Sequence, residues 1–441
     1  MKLYILILLI AFLFATNAQS ATLTVTKTAD SNDGICNSDC SLREAITQAA
    51  NNDVVVFDDL VFSGAATIRV SLGQILISKN ISIVGTNAKS LVILATQASG
   101  IPLYRAIEFG SASVLISNVT ISAVTTPTQT PVDYGGGILN QGDLQLVNVK
   151  ISGNRASEGG GICNFGILRA SNTTITNNTA THANNRGQGG GISNGGKMIL
   201  TNTTVSGNIA TSEQVGIGGI GGGIFHGGSG TATLYNATIA FNQAAGAGGG
   251  IYTSSTFIVG NSIVSRNSTD ISGIINSQGY NLIGIDPLLN VLSDNGGQTQ
   301  THSLHPNSPA IEQGNGTIAG VANDQRGLIR PVDNPAIPNA PGGDGADIGA
   351  SEREPFVVSV SGRVATPGGR GISGAFLTLT DATGVSRIHP TNPFGYFHFP
   401  GVRTGEVSTS SVFSKRHRFN PSSRQIAFFA NTANTNFVSE N

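Results

Sequence analysis

Charge is scarce in this chain. Asp, Glu, Lys and Arg make up 11% of its 441 residues, about half the usual share. The 24 basic and 25 acidic residues nearly cancel, so no basic footprint of a nucleic-acid binder is present. Cysteine is also scarce, at three residues. Cys36 and Cys40 are close enough in sequence to bridge. A metal site there would need more ligands, and no histidine lies nearby. Export makes the disulfide the expected state, and Cys163 is left to pack as a small hydrophobe. A second long apolar run is missing as well. Residues 3–14 form an apolar core too short to span a bilayer comfortably. Lys2 precedes it and Ala18-Gln19-Ser20 follows it, which is the pattern of a signal peptide over residues 1–20. The mature chain is expected to begin near Ala21 and to be exported, soluble and monomeric, with an extracellular or cell-surface location and no integral membrane segment.

Glycine and uncharged polar residues fill the space that charge leaves. There are 58 glycines, and their arrangement is periodic. GGGI starts at Gly135, Gly159, Gly189, Gly221 and Gly248, at intervals of 24, 30, 32 and 27 residues. Each unit carries a second anchor that begins with an asparagine: NVKISGN, NTTITNN, NTTVSGN, NATIAFN and NSIVSRN. Short period-two alternation between Gly and Asn reads as strands and tight turns, and repeats of this length read as a stacked array. No unit can bury a core alone. Coiling each strand parallel to its equivalent in the next unit solves this, at a rung spacing of about 4.8 Å.

The expected fold is therefore all-β: a right-handed parallel β-helix over residues 54–280. Ile138, Ile162, Ile192, Ile224 and Ile251 should form an interior column. Asn148, Asn172, Asn202, Asn236 and Asn261 should line a corner in left-handed backbone. Asn154, Asn178, Asn208, Asn242 and Asn267 should form a second ladder. Two near-matches to phosphate loops, Gly191–Met198 and the glycines Gly216, Gly218 and Gly221, lack the strand-to-helix context such loops need.

The flanks read as closures. Residues 21–53 form an N-terminal cap, where Ser41 and Glu44 have capping-box spacing. Leu42, Ala45, Ile46 and Ala49 fall on one helix face. Asp58-Asp59 is read as a turn, since adjacent strand residues face opposite ways. Residues 281–352 are expected to form a lid in which Asp294, Asp324, Arg326, Arg330 and Asp347 tie the last rungs together, with His302 and His305 as structural histidines. No cofactor is expected, although carboxylates and carbonyls there would suit a structural calcium. Residues 356–441 alternate with turn signals, as in a small β-sandwich, and their basic run at 415–418 could touch anionic polymers.

Resemblances fit these divisions. CSLREAI at 40–46, with the VVVF strand after it, resembles the CSLREA-type module of exported bacterial repeat proteins. The GGGI units resemble repeats of polymorphic outer-membrane proteins. NLIG at 281, DNGGQTQTH at 294–302, SPAI at 308, DQRG at 324 and ADIGASE at 346–352 resemble the choice-of-anchor Q region. Gly362-Arg363-Val364, Leu379-Thr380-Asp381 and Gly395-Tyr396-Phe397 resemble the carboxypeptidase regulatory-like family, although no helical pair of His and Glu zinc ligands accompanies them.

The residues after the column isoleucines are expected to face out: Leu139, Cys163, Ser193, Phe225 and Tyr252. Phe225 and Tyr252 would sit on adjacent rungs as a ligand platform. Asp133, Asp143, Glu158, Glu213 and Asp270 are scattered, which is poor material for a catalytic pair. The first reading is a non-enzymatic surface protein that binds a polysaccharide or a matrix protein. A polysaccharide lyase or glycoside hydrolase, and a structural sheath component, are the alternatives.

Overall fold

The computed structural model describes residues 20–96, 105–123, 132–334, 337–353, 357–381, 384–403, 407–428 and 432–440. The expected signal peptide, apart from Ser20, lies outside the described residues, as do residues 354 and 355 of the linker at 352–355.

From Thr22 to Ile283 the chain is a parallel β-helix. One coil illustrates the path. Ile162–Asn164, Ile167–Ser171, Thr174–Thr176 and Thr179–His182 each pair in parallel with the equivalent strand of the next coil. Four sheets result: an isoleucine sheet of eight strands, a long sheet of ten, a hydroxyl sheet of nine and a short sheet of five. The unequal repeat lengths leave the register intact, with Ile138, Ile162, Ile192, Ile224 and Ile251 directly stacked and fully buried. Size varies along the neighbouring interior column, where Met198, Ala232 and Phe257 lie in register. A small residue between two large ones lets the layers interdigitate.

The triple glycines are there for close approach. Gly159 has a left-handed φ of +64°, and a Cβ on Gly160 would meet the Gly190 carbonyl oxygen at 2.4 Å. No side chain fits that turn. The near-match at Gly191–Met198 runs through the strand Ile192–Asn194 into the strand Lys197–Thr201, the glycine set at 216–221 lies ahead of the strand Ile224–His226, and strands rather than helices follow both.

The N-terminal cap is a helix, Leu42–Gln48, that buries Leu42, Ala45 and Ile46 and carries a complete capping box. The strand Thr22–Val25 starts the long sheet ahead of Val54–Phe57. Cys36 and Cys40 are disulfide-bonded. Burial pushes the Glu44 carboxyl up, but N–H groups of Ser41 and Asp33, the Ser31 hydroxyl and Lys27 outweigh it and hold the group down at about 2. Asp58-Asp59 opens a one-turn helix, with Asp58 as its N-cap, rather than a plain turn.

Residues 281–352 correct the sequence reading. They close the last rung, where Leu282–Ile283 pairs with Ile263–Val264, but they do more than that. They run lengthwise along the outer face of the hydroxyl sheet, from the coil of Ala88 to the coil of Asn261, as a clamp. The Ala88 N–H donates to Gln298 Oε1 at 3.3 Å, and the Thr204 hydroxyl donates to Gln325 Oε1 at 2.7 Å. The Ala350 N–H donates to Thr238 Oγ1 at 3.0 Å, and the Gly349 N–H to the Asn261 carbonyl at 3.0 Å. The physical reason lies on that face. Thr120, Lys150, Thr174, Thr204 and Thr238 are in register. Lys150 and Thr174 donate to Gln300, Thr204 donates to Gln325, and Thr238 accepts from the Ala350 N–H, so the column offers the clamp one polar side chain on each of these rungs. Asp294, expected at the last rungs, instead pairs with Lys89. His302 Nε2 lies 2.8 Å from Ser206 Oγ, and its Nδ1 lies 2.7 Å from the Asn290 carbonyl. Burial pushes it below the usual histidine range.

The clamp carries a buried charge knot. Arg330 donates from Nε to Glu352 Oε2 at 2.8 Å and from Nη1 to the Gly349 carbonyl at 2.8 Å. Asp324 accepts from Arg326 and from the Leu328 and Glu352 N–H groups, and Asp347 accepts from the Glu312 and Arg353 N–H groups. The carboxylates expected to suit calcium are thus occupied by protein donors. Among the described residues no group of three or more metal-ligating side chains converges.

Glu312 is 2% exposed and its Oε2 has no partner. Burial pushes its carboxyl up to about 8, and the charges of Asp347, Asp333 and Glu352 add to this against one N–H from Asn334. The folded pKa is above the unfolded one, so the folded state holds the extra proton. The stability this contributes is complete below about pH 4.5 and is lost as pH rises through 8. The slope is at most about 1.4 kcal/mol per pH unit. Glu44 acts in a separate, acid window: its stabilisation is present above about pH 4.5 and is lost as pH falls through about 2. Urea midpoints are expected to fall between pH 5 and pH 8.5, with one proton's worth of that slope removed in Glu312→Gln. An unchanged slope in that variant would contradict the assignment.

The C-terminal domain is a β-sandwich. Val357–Ala365, Tyr396–Arg403 and Phe437–Val438 form one sheet; Phe376–Thr380, Ser386–Pro390, Val407–Phe413 and Ser423–Ala427 form the other. Phe397, Phe399, Phe428 and Phe437 fill its core, whereas Phe376 and Phe413 face solvent.

Candidate functional site

The outer side of the isoleucine sheet carries the best-formed site. Ile224 and Ile251 point into the core, so strand alternation turns Phe225 and Tyr252 outward. The two residues are register partners on adjacent rungs. Their rings stack at 5.5 Å between centroids with 12° between planes, and both are half-buried. The Phe225 ring lies over Gly227, where a Cβ would stand 3.0 Å from its Cζ. A side chain at Gly227 would have to displace the ring, so that glycine keeps the platform flat.

The other three residues expected to face solvent are buried: Leu139 at 4% exposure, Cys163 at 0% and Ser193 at 4%. Burial pushes the Cys163 thiol up to about 12, and the Glu158 charge adds to this. It is a neutral thiol without nucleophilic character.

A second aromatic pair was missed in the sequence. Tyr134 precedes the Gly135 turn and Phe165 follows Asn164, yet their rings meet edge to face at 5.5 Å. They are 40% and 49% exposed. Phe165 lies two rungs from Phe225, about 10 Å along the axis, with Ser193 and Gly195 on the rung between. The only signal for it was the single aromatic at a position that is glycine in the next two units, Gly195 and Gly227.

Three asparagine ladders stiffen this scaffold. The corner residues Asn148, Asn172, Asn202, Asn236 and Asn261 all have left-handed φ, from 48° to 57°. They bond in steps: Asn148 to Asn118, Asn202 to Asn172 and Asn261 to Asn236. Asn202 Oδ1 and Asn236 Nδ2 are left buried without partners. The second ladder is continuous from Asn154 to Asn267, with amide–amide distances of 2.8–2.9 Å, and ends on Asp270. The third was missed: Asn140, Asn164 and Asn194 bond in sequence, and Asn194 meets His226 at 2.8 Å. ILN, ICN, ISN and IFH at one register position were its signal.

The acidic residues do not gather into a catalytic pair. Asp143 pairs with Arg169, Glu213 with Arg155, and Asp270 closes the second ladder. Glu158 is the exception. Burial pushes it above the usual carboxylate range; His182 opposes this and Asp133 adds to it. Glu158 is in register with Tyr134.

The fold and surface define a class: a repetitive parallel β-helix with a lateral clamp and an aromatic flank. No family model matches the chain, and no curated protein matches it. No helix among the described residues is long and apolar enough to cross a membrane.

Proposed function

We propose that this is an exported, cell-surface-associated, non-enzymatic repeat protein whose β-helical flank binds a polysaccharide or a surface partner. The stacked Phe225–Tyr252 pair carries this reading. Two rings held stacked and nearly parallel on a rigid scaffold offer an apolar aromatic surface that matches the C–H faces of a sugar, at little entropic cost. The N-terminal targeting pattern and the resemblances to exported repeat proteins support the location. A glycan and matrix-protein array with the purified chain tests it. Phe225→Ser/Tyr252→Ser is expected to keep its melting temperature, since both rings face outward, and to lose binding at least tenfold. Unchanged binding would dismiss the platform.

Glu158 favours a second reading, a glycan-cleaving enzyme. A half-buried carboxyl with a raised pKa near Asp133, beside Tyr134, has the character of a general acid. Shortened products from pectins or alginates, abolished in Glu158→Gln, would establish it in place of the first.

A further inference from the structure

A cavity of about 300 Å³ lies between the N-terminal part of the clamp and the hydroxyl sheet, on a different sheet from the aromatic flank. Its lining includes Lys89, Lys150, Thr120, Gln298 and Gln300. Lys150 stands between two threonines in its column, in register with Thr120 and Thr174. Among the described residues the one hydrogen bond of its ammonium goes to Gln300 Oε1, at 2.8 Å. The carboxylate that also lines the cavity, Asp294, is taken by Lys89 at 2.8 Å. Lys150 is thus a half-buried ammonium with a neutral partner, and burial pushes it below the usual lysine range.

The two glutamines are oriented by protein donors. Gln298 Oε1 accepts from the Ala88 N–H and Gln300 Oε1 from Lys150. Their amide Nε2 groups have no partner among the described residues, so the lining presents N–H donors around an unneutralised ammonium. That arrangement suits an anion and opposes a cation. Lys89, 41% exposed, adds a second positive charge at the rim.

We propose that this cavity is a subsite for the carboxylate of an acidic sugar residue, with Lys150 as its counter-charge and Gln298 and Gln300 as donors to its oxygens. The proposal rests on the glycan-binding reading above and assigns to it the uronate class. Desolvation of the ammonium is already met in the fold, so a bound carboxylate gains a charge-assisted contact without further ordering.

Lysine acetylation of the full chain, read by mass spectrometry, tests it separately from the platform. Galacturonate oligomers are expected to slow modification of Lys150 at least fivefold, and neutral galactose oligomers to leave it unchanged. Titration of galacturonate trimer should show at least tenfold weaker binding in Lys150→Met, recovered in Lys150→Arg, with melting temperatures reporting the fold of each. Equal protection by inorganic sulfate would overturn the sugar assignment and leave a general anion site. No protection of Lys150 by any anion would overturn the subsite, while retained binding of neutral glycans by the same sample would keep the platform reading standing.

Discussion

Replacing Arg330 by Met is expected to destabilise the chain by about 3–5 kcal/mol, the usual cost of removing one partner from a buried ion pair. Arg330 is 2% exposed, and its guanidinium lies against Glu352, itself 2% exposed, with Asp347 bonded to the same carboxylate through its N–H. Without the cation, those two acids remain buried and repel each other. Burial already pushes both above the usual carboxylate range, so they respond by taking protons, and the loss should be larger at pH 8.5 than at pH 5. The double variant Arg330→Met/Glu352→Gln should recover about half of the loss, because the buried charge at 352 is removed and the amide oxygen still accepts from one of the two N–H groups, Asp347 or Val332, that the two carboxylate oxygens now serve. Urea unfolding measures all three. A single-variant cost under 1 kcal/mol would mean that the knot does not hold the clamp.

Asn208→Ala should cost at least about 3 kcal/mol. Asn208 Oδ1 accepts from both the backbone N–H and the side-chain amide of Asn178, and its Nδ2 donates to Asn242 and to the Ile175 carbonyl. Truncation strands several fully buried groups, each worth about 1–3 kcal/mol when left unpaired. Asn202→Gly should cost about 1 kcal/mol. The left-handed backbone there suits glycine, and only the bonds to Asn172 and the Asn323 carbonyl are lost. Both asparagines recur at a fixed place in every repeat, so recurrence alone does not separate them. Thermal or urea unfolding of the pair does, and equal costs would contradict the ladder geometry.

The coil was readable from the sequence because its signals repeat. The column isoleucines, the corner asparagines and the Ser41/Glu44 box each depend on residues close in sequence or on a regular interval. The clamp was not readable in the same way. Its polar run at 294–302 and its paired charges marked an irregular closing segment, but nothing local says which face such a segment covers. That is decided by the hydroxyl column of Thr120, Thr174, Thr204 and Thr238, more than a hundred residues away in the case of Gln300 and Thr174. The platform was half legible. Alternation placed Phe225 and Tyr252 outward, yet the same rule failed for Leu139, Cys163 and Ser193, because alternation gives the direction of a side chain and not what lies over it. The Lys89–Lys150 cavity was invisible for the same reason, since it exists only once the clamp is laid along the sheet.

The account stands on the coils and the lengthwise clamp behaving as one cooperative unit. Native-state hydrogen exchange tests this most directly, because amides that open together share one free energy of exchange. The Gly349 and Ala350 amides, which donate to Asn261 and Thr238, are predicted to exchange with the same free energy and denaturant dependence as the coil amides of Ile192 and Ile224. Early exchange of the clamp amides, with the coil still fully protected, would contradict it.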